Sequence, residues 1–271
     1  MQDTKIGFIG AGNMAASIIG GLISKGQPPA TVFASDLDSD KLASLADSTG
    51  LQPATNTEIA QQADVIVLAV KPQVMASVCQ ELAAALGERS PLLISIAAGI
   101  NLTALEAWFG ASACLVRCMP NTPALVGSGA SGLFANPQVD SQQREITTAL
   151  LSAVGLAVWV ETEEQIDSVT ALSGSGPAYF FLMLEAMQDS AVKLGLSPEV
   201  AKALSYQTAL GAAQLALASS ESTQQLRRNV TSPNGTTERA INAFEDGDLR
   251  GLVDTALKAA HARSIELAQE N

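Results

Sequence analysis

The stretch IGFIGAGNMAASIIGGL, residues 6–22, decides how the first half of this chain folds. It begins with a short apolar run typical of a buried strand and continues with apolar residues at helical spacing. Between the two stands GAGNMA, which has the pattern G-x-G-x-x-A. In such a turn Gly10 permits a tight bend, Gly12 lets the backbone approach a pyrophosphate, and Ala15 is small enough for helix and strand to pack. The stretch therefore predicts a strand–turn–helix unit that receives the phosphates of a dinucleotide at the helix N-terminus.

Apolar runs with the character of buried strands recur along the first 160 or so residues, with helical patterns between them such as residues 13–25 and 73–86. Near-continuous Val, Ile and Leu runs flanked by helices indicate a parallel sheet covered on both faces. The predicted strands are residues 5–9, 31–35, 64–70, 92–97 and 115–119, followed by two shorter ones at 130–135 and 157–160 that bracket a helix at 141–154.

Beyond about residue 163 strand signals end, and Ala, Leu and Gln dominate. Ser197 is a predicted N-cap with Pro198 at the first helical position, and residues 249–269 form one long helical pattern. We therefore expect an α/β fold with an N-terminal parallel-sheet domain, residues 1–162, and an all-helical C-terminal domain, residues 163–271. Small residues on one predicted face of the second domain permit close helix approach and indicate self-association: Ala209, Ala212, Ala213 and Ala216.

The composition excludes several classes of protein. A net charge of −12 argues against binding a nucleic-acid backbone, which needs clusters of Lys and Arg. Cys79, Cys114 and Cys118 cannot form a complete disulfide set and lack the spacing and histidines of a zinc site, so we expect no metal. No apolar stretch reaches membrane-spanning length, and no signal-peptide pattern opens the sequence. We therefore expect a cytoplasmic protein without a membrane or nucleic-acid partner.

Asp36 closes the second predicted strand. A carboxylate at that position can accept a hydrogen bond from a ribose 2′-hydroxyl and repel a 2′-phosphate, which favours NADH. A role as a turn residue or helix N-cap is the alternative. No arginine stands beside Asp36, although Lys41 could reach back to it. The choice between NADH and NADPH stays open on this pattern.

Five further stretches follow the opening turn: AVKP (69–72), SIAAG (95–99), RCMPNTPA (117–124), SGSGPAY (173–179) and TSPNGTT (231–237). Taken together they closely resemble the pyrroline-5-carboxylate reductase family, and the resemblance runs nearly end to end. It implies a Rossmann-type domain followed by a helical dimerisation domain, with dimers often assembled into decamers. It also implies reduction of 1-pyrroline-5-carboxylate to L-proline, the last step of proline biosynthesis, with NADPH or NADH.

The same resemblance implies which residues bind the cofactor. Ala11, Asn13 and Met14 match positions that meet the pyrophosphate, Asn56 and residues 69–72 match the adenosine and ribose side, and Ala97 matches a position near the nicotinamide. Asp36 falls where NADPH-using members often offer a small hydroxyl, which argues against the usual NADPH preference. The full predicted cofactor set is Gly10, Ala11, Gly12, Asn13, Met14, Ser35, Asp36, Asn56, Ala69, Val70, Lys71, Pro72 and Ala97.

For the substrate, Glu163, Asn229, Thr236 and Thr237 match the family's contacting positions. The residues themselves predict a turn at 233–235 and a helix that begins near Glu238, and Gly235 in that turn is included among the predicted substrate-binding residues. A helix start with two hydroxyls and free N–H groups suits a substrate carboxylate. Simple N-capping by either threonine is the alternative.

The predicted proton chemistry does not use histidine. His261 is the one histidine and lies in the C-terminal helical pattern, where we expect a surface or packing residue. A cyclic imine is more basic than a carbonyl and can bind already protonated, so a strong general acid is unnecessary. We expect Thr237 to be the catalytic group that orients the ring nitrogen or relays a proton. Cys118 is expected to be a small buried residue rather than a nucleophile.

Two features admit a second interpretation. Lys71 could be a catalytic lysine of the hydroxyacid dehydrogenase type, but Pro72 behind it indicates a turn, so a cofactor-lining role is favoured. The segment with Gly174, Gly176 and Pro177 predicts either a helix that begins at Pro177, with Ser175 near its cap, or backbone lying against the substrate.

Two other functions are compatible with the same plan. A β-hydroxyacid or other imine dehydrogenase would need a catalytic lysine in the first long helix of the second domain, where only residues 189–193 offer a candidate. A nucleotide sensor without turnover would have no need of a substrate-carboxylate site, so TSPNGTT and SGSGPAY argue against it.

Overall fold

The computed structural model describes residues 3–270, which form two compact units. The first unit comprises the described residues up to Pro177 together with those from Ala259 onward, and the second is Ala178–Lys258. Every strand in the described range ends at or before Trp159, so the predicted change from α/β to helical character is confirmed. The domain limits 1–162 and 163–271 stay a prediction.

The first unit is built on eight strands: β1 (Ile6–Ile9), β2 (Val32–Ser35), β3 (Gln52–Pro53), β4 (Val65–Leu68), β5 (Leu92–Ser95), β6 (Cys114–Met119), β7 (Gly129–Ala135) and β8 (Gly155–Trp159). They form one sheet in the order β3-β2-β1-β4-β5-β6-β7-β8. Neighbouring strands are parallel except for the antiparallel pair β6 and β7. The seven predicted strands are all present, and the two-residue β3 was not predicted.

β1 lies between β2 and β4, so the chain leaves β1 toward one edge of the sheet and later returns to its other side. Such a reversal opens a crevice beyond the carboxyl ends of the strands, where α/β proteins bind ligands. The glycine-rich turn follows β1 at this end.

Both faces of the central strands are buried, which explains their continuous apolar sequences. In β1, Ile6 and Phe8 pack in the same core as Ile18, whereas Ile9 packs on the opposite side of the sheet with Ile59. The predicted parallel sheet with two covered faces is therefore confirmed.

Seven helices lie wholly in the first unit, and most of them cover the sheet. They are α1 (Asn13–Ser24), α2 (Ser39–Thr49), α3 (Asn56–Gln62), α4 (Pro72–Leu86), α5 (Leu102–Phe109), α6 (Ser141–Leu151) and α7 (Gln165–Val169). The predicted helix at 141–154 continues beyond α6 as a 3₁₀ turn at Ser152–Val154.

A single π-helical turn, Thr170–Gly174, joins α7 to α8 (Gly176–Lys193). α8 begins one residue before the predicted start, and Pro177 does not break it because the first-turn N–H groups have no partner within a helix. A Cβ on Gly174 would lie 2.6 Å from the side chain of Met119, so this glycine permits close packing against the end of β6.

Four more helices follow within the described residues: α9 (Pro198–Ala218), α10 (Thr223–Asn229), α11 (Thr236–Asp246) and α12 (Leu249–Glu270). The predicted cap of α9 is confirmed, since the Ser197 side chain accepts from the Val200 N–H. None of the helices in the described range is long and apolar enough to cross a bilayer.

Candidate active site

Gly10 makes the turn after β1 possible. Its φ is +97°, in the left-handed region that favours glycine. A Cβ at this position would lie 2.7 Å from the Ala69 carbonyl oxygen. The Gly10 N–H donates to the Ser35 carbonyl at 2.8 Å. The turn is therefore held between the ends of β2 and β4, at the carboxyl edge of the sheet.

The N-terminus of α1 faces an open space. Its N-cap is Gly12, and no side chain in the described residues caps it. No non-neighbouring described atom lies within 4 Å of the place where a Cβ of Gly12 would stand. Asn13 is exposed, whereas Ala15 is fully buried against the sheet. We call this open space at Gly12, in front of the first residues of α1, the cradle. An anionic pyrophosphate needs such a space in front of helix N–H groups that have no intrahelical partner, so the residues present fit a dinucleotide.

The Asp36 carboxylate ties the end of β2 to this turn. Oδ2 accepts from the Ala11 N–H at 2.7 Å, and Oδ1 accepts from the Asp38 N–H at 2.9 Å. Burial acts to raise the pKa of Asp36, but the N–H groups of Asp38 and Ala11, with the Lys41 ammonium, hold that pKa below its ordinary value. Asp36 is charged at neutral pH, and the Ala11 N–H predicted to meet the pyrophosphate already has a partner in the chain.

Ser35 and Asn56 lie beside Asp36. The Ser35 hydroxyl donates to Asn56 Oδ1 at 2.6 Å, and Asn56 is the first residue of α3. Because Oδ1 is engaged, the NH₂ group of Asn56 is the part that can donate to a ligand. These contacts bring the residues predicted for the adenosine side together.

Residues 69–72 and Ala97 lie at the same edge. The Ala69 N–H donates to the Ile9 carbonyl at 2.8 Å, which places this segment next to the turn after β1. Lys71 is exposed at the N-cap of α4, and Pro72 is its first residue. Ala97 follows β5, the neighbour of β4. The predicted cofactor residues thus converge on the carboxyl ends of β1, β2, β4 and β5, together with the start of α3.

Glu163 has partners within the first unit. Its Oε1 accepts from the Leu102 N–H at 2.7 Å and from Arg117 Nη1 at 3.0 Å. Arg117 belongs to the motif RCMPNTPA, but the sequence predicted no role for this residue. The feature that could have indicated a role is that Arg117 is the single charged residue in the otherwise apolar strand CLVRCM. Arg117 is 4% exposed, and its second partner is Asp167 at 3.5 Å.

The second unit contains the other predicted substrate residues. α11 begins at Thr236, two residues before the predicted start, with Gly235 as an N-cap that makes no side-chain bond. The alternative of N-capping by Thr236 or Thr237 is therefore wrong, because both already lie inside the helix. Glu238 Oε2 accepts from the Asn234 N–H at 2.8 Å, which braces the turn at its left-handed residue, φ +60°.

The side chain of Asn229, the last residue of α10, is held on both sides. Its Nδ2 donates to Glu221 Oε2 at 2.7 Å, and its Oδ1 accepts from Gln225 Nε2 at 2.8 Å. Neither Glu221 nor Gln225 was predicted from the sequence. Gln225 lies four residues before Asn229 on α10, a spacing that places the two side chains on one helix face, whereas Glu221 precedes the Ser222 N-cap and has no such signal. Since Glu163 lies in the first unit, the predicted substrate set is divided between the two units.

Neither the cysteines nor the histidine forms a catalytic cluster. Burial raises the pKa of Cys118 to about 12 and that of Cys79 to about 12, so both thiols stay protonated. His261 is half-buried in α12. Across residues 3–270, no group of three His, Cys, Asp or Glu could hold a metal ion.

Comparison with known proteins identifies relatives along the whole chain. A family model described as pyrroline-5-carboxylate reductase dimerisation matches residues 163–267, and one described as NADP oxidoreductase, coenzyme F420-dependent, matches residues 5–99. A pyrroline-5-carboxylate reductase of Pseudomonas aeruginosa is 55% identical over 271 residues, 100% of this chain and 99% of that protein.

Two solved structures extend this comparison. A pyrroline-5-carboxylate reductase from Coxiella burnetii matches with a TM-score of 0.95 and 47% identity over 98% of both chains. The Plasmodium falciparum pyrroline carboxylate reductase with NADP bound matches with a TM-score of 0.86 and 32% identity over 99% of both chains.

Proposed function

The chain belongs to the pyrroline-5-carboxylate reductase family, and we propose how its own residues perform the reaction of that family. It reduces 1-pyrroline-5-carboxylate to L-proline, the last step of proline biosynthesis, with NADPH or NADH as reductant. The cofactor supplies the hydride that the C=N carbon receives.

The residue assignments rest on one observation, namely which helices have no side-chain cap at their N-terminus. A side chain caps the start of α2, α3, α5, α6, α9 and α10. In contrast α1, α4 and α11, with N-caps Gly12, Lys71 and Gly235, have no side-chain cap; the five-residue α7 also lacks one. The helices α1, α4 and α11 begin where the sequence predicts the pyrophosphate, the cofactor ribose and the substrate carboxylate. The first N–H groups of α1 and α11 are available to anions. α4 begins with Pro72, which has no N–H, so its start offers fewer donors.

For the cofactor, Gly10 and Gly12 shape the cradle, and the pyrophosphate binds the N–H groups of Asn13 and Met14. Ala11 contributes as a link between the turn and Asp36. The adenosine side consists of Ser35, Asp36 and Asn56, whereas Ala69, Val70, Lys71, Pro72 and Ala97 line the ribose and nicotinamide. Exposure of Lys71 at a helix start supports this lining role over a catalytic one.

For the substrate, the carboxylate binds the start of α11 through its N–H groups and the hydroxyls of Thr236 and Thr237. Gly235 permits close approach because it has no side chain. Asn229 donates to the substrate in the orientation that Glu221 and Gln225 set. Glu163 contributes through its second oxygen, since Oε1 is engaged by Arg117 and Leu102.

Thr237 is the catalytic residue of this proposal. The iminium form of the substrate is already electrophilic, so the chain needs a group that orients the ring nitrogen or relays its proton rather than a strong acid. The buried thiols of Cys79 and Cys118 do not ionise at neutral pH, and a hydride transfer needs no thiolate.

The protein self-associates and acts on a small molecule. The second unit exposes large apolar side chains within a single chain, including Phe180 at 70%, Phe181 at 65% and Leu217 at 87%. Apolar exposure on this scale is typical of a surface that another subunit covers. We propose that residues 163–271 form the substrate and dimerisation domain, with the dimer as the unit from which a decamer would assemble.

We also propose that the enzyme works in the cytoplasm without a membrane or nucleic-acid partner. The net charge of −12 supports the absence of such partners, because both phosphate backbones and anionic lipid surfaces repel a protein of this charge.

The test of the reaction follows the absorbance of reduced nicotinamide after addition of 1-pyrroline-5-carboxylate, with NADH and NADPH side by side. Rapid substrate-dependent oxidation is expected. A folded protein that binds a cofactor but oxidises neither one would overturn the assignment. Size-exclusion chromatography with light scattering distinguishes a dimer from a decamer.

A further inference from the structure

The loop after β2 concentrates charge where the adenosine ribose is proposed to bind. Asp36, Asp38 and Asp40 stand within five residues, and Lys41 is the one cation between residues 32 and 49. The charge at this place decides whether a ribose can carry a hydroxyl or a phosphate at its 2′ position.

The nearest carboxylates are fixed. Both oxygens of Asp36 accept backbone N–H groups, and its side chain is 18% exposed. Asp38 caps α2, because its Oδ1 accepts from the Lys41 N–H at 3.0 Å. A phosphate arriving at the 2′ position therefore meets negative charge that cannot swing away.

Lys41 is placed differently. Its side chain is 42% exposed, and its Nζ lies 4.0 Å from Asp36 Oδ2, beyond hydrogen-bond distance. Because the lysine side chain is long and flexible, its ammonium can leave Asp36 and pair with a different anion. The ammonium stands beside the carboxylate expected to accept the 2′-hydroxyl, so a phosphate on that ribose oxygen lies within its reach.

We propose that Lys41 is the residue that admits a 2′-phosphate beside Asp36, so that the enzyme takes NADPH through Lys41 and NADH through Asp36. The inference rests on the cofactor placement given above. With a 2′-hydroxyl, Asp36 accepts the hydrogen bond and Lys41 makes no direct contact. With a 2′-phosphate, Lys41 turns to the phosphate and offsets its repulsion by Asp36, while the neutral NH₂ of Asn56 supplies a second donor.

The test measures binding of cofactor fragments by isothermal titration calorimetry, without substrate. Adenosine 2′,5′-bisphosphate carries the 2′-phosphate, and 5′-AMP lacks it. Lys41→Met should weaken binding of the bisphosphate about tenfold, the effect of one charge-assisted contact. It should change binding of 5′-AMP less than about twofold. The matched control is Lys5→Met, since Lys5 is exposed and precedes β1 at the opposite end of the strand.

Kinetics provide a second readout: Lys41→Met should lower kcat/KM with NADPH and leave kcat/KM with NADH unchanged. Equal losses for the two fragments, or an unchanged affinity for the bisphosphate, would overturn the role of Lys41. If the fragments behave as expected but neither cofactor is oxidised with 1-pyrroline-5-carboxylate, the proposed reaction fails and the Lys41 assignment stands.

Discussion

Arg117 donates to Glu163 Oε1 at 3.0 Å from within a buried strand, and the same oxygen accepts the Leu102 N–H at 2.7 Å. A second carboxylate, Asp167, lies 3.5 Å from the guanidinium and accepts the Ser264 hydroxyl at 2.7 Å. The start of α5, strand β6, helix α7 and the last part of α12 thus meet around one buried cation. Glu163 is also proposed to contact the substrate. The network therefore both stabilises the first unit and positions a residue of the proposed substrate site.

Removal of the buried cation should destabilise the protein. Arg117→Met leaves the carboxylates of Glu163 and Asp167 without their shared counter-charge, which costs about 3–5 kcal/mol for a buried pair. Urea unfolding followed by circular dichroism measures the loss. The control is Arg263→Met, because Arg263 pairs with Glu266 and Glu270 at the surface, where such pairs contribute little. Equal stability of both variants would show that the Arg117 network is not structural.

The two glycines of the opening turn should respond differently to alanine. Gly12→Ala adds a methyl group where the described chain has no atom, so the thermal unfolding temperature without cofactor should not change. The same methyl group occupies the cradle, so affinity for NADPH and NADH should fall at least about tenfold. Gly10→Ala forces a left-handed residue against the Ala69 carbonyl and should cost about 1–3 kcal/mol of stability as well. Calorimetry with and without cofactor distinguishes these outcomes, and tight cofactor binding by Gly12→Ala would contradict the cradle.

Loss of the Thr237 hydroxyl should slow turnover without loosening the cofactor. Thr237→Ala is expected to lower kcat about a hundredfold, at the lower end for a group that assists proton transfer. Stopped-flow kinetics and cofactor titration give the two quantities separately. Thr255→Ala is the matched control, since the Thr255 hydroxyl donates to the Gly251 carbonyl on α12. A Thr237→Ala enzyme with wild-type turnover removes the catalytic role.

Asp36 should stabilise the fold in a pH-dependent way. Its pKa in the folded chain lies below the ordinary 3.8, so the ionised form is favoured by folding. The contribution is therefore fully present above 3.8 and is lost as pH falls through the lowered pKa. The unfolding free energy of wild type minus that of Asp36→Asn should be constant near neutral pH and should shrink below pH 3.8. Denaturant unfolding at a series of pH values measures this difference, and a gap that stays constant through the acid range contradicts the prediction.

The elements that the sequence predicted best are those decided by local pattern. All seven predicted strands formed, because each is a local run rich in apolar residues, both where the strand is buried throughout, as β1 is, and where it is partly exposed, as β8 is. The start of α9 followed from Ser197 and Pro198, since a cap and its helix are neighbours in the chain. Two predicted helix starts were wrong. α11 begins two residues before the predicted Glu238, and α8 begins one residue before the predicted Pro177. Helix ends depend on hydrogen bonds that residue type alone does not specify.

Contacts between distant residues could not be predicted in this way. Asp36 was expected to face a ribose, and the structure shows that its carboxylate engages the Ala11 N–H, 25 residues away. Arg117 meets Glu163 across 46 residues, and Ser264 meets Asp167 across 97. A single sequence carries no record of these pairings, because they arise only when the sheet places β2 beside β1 and the terminal helix against α7.

The sequence by itself thus determined the α/β character, the glycine turn and the family, since spacing and side-chain size act within a few residues. Only the tertiary structure decided which helix starts stay uncapped, which carboxylates are fixed by backbone N–H groups, and where the buried cation finds its two partners. The physical reason is that hydrogen bonds and ion pairs act over a few ångströms in space, and only folding brings distant parts of a chain that close.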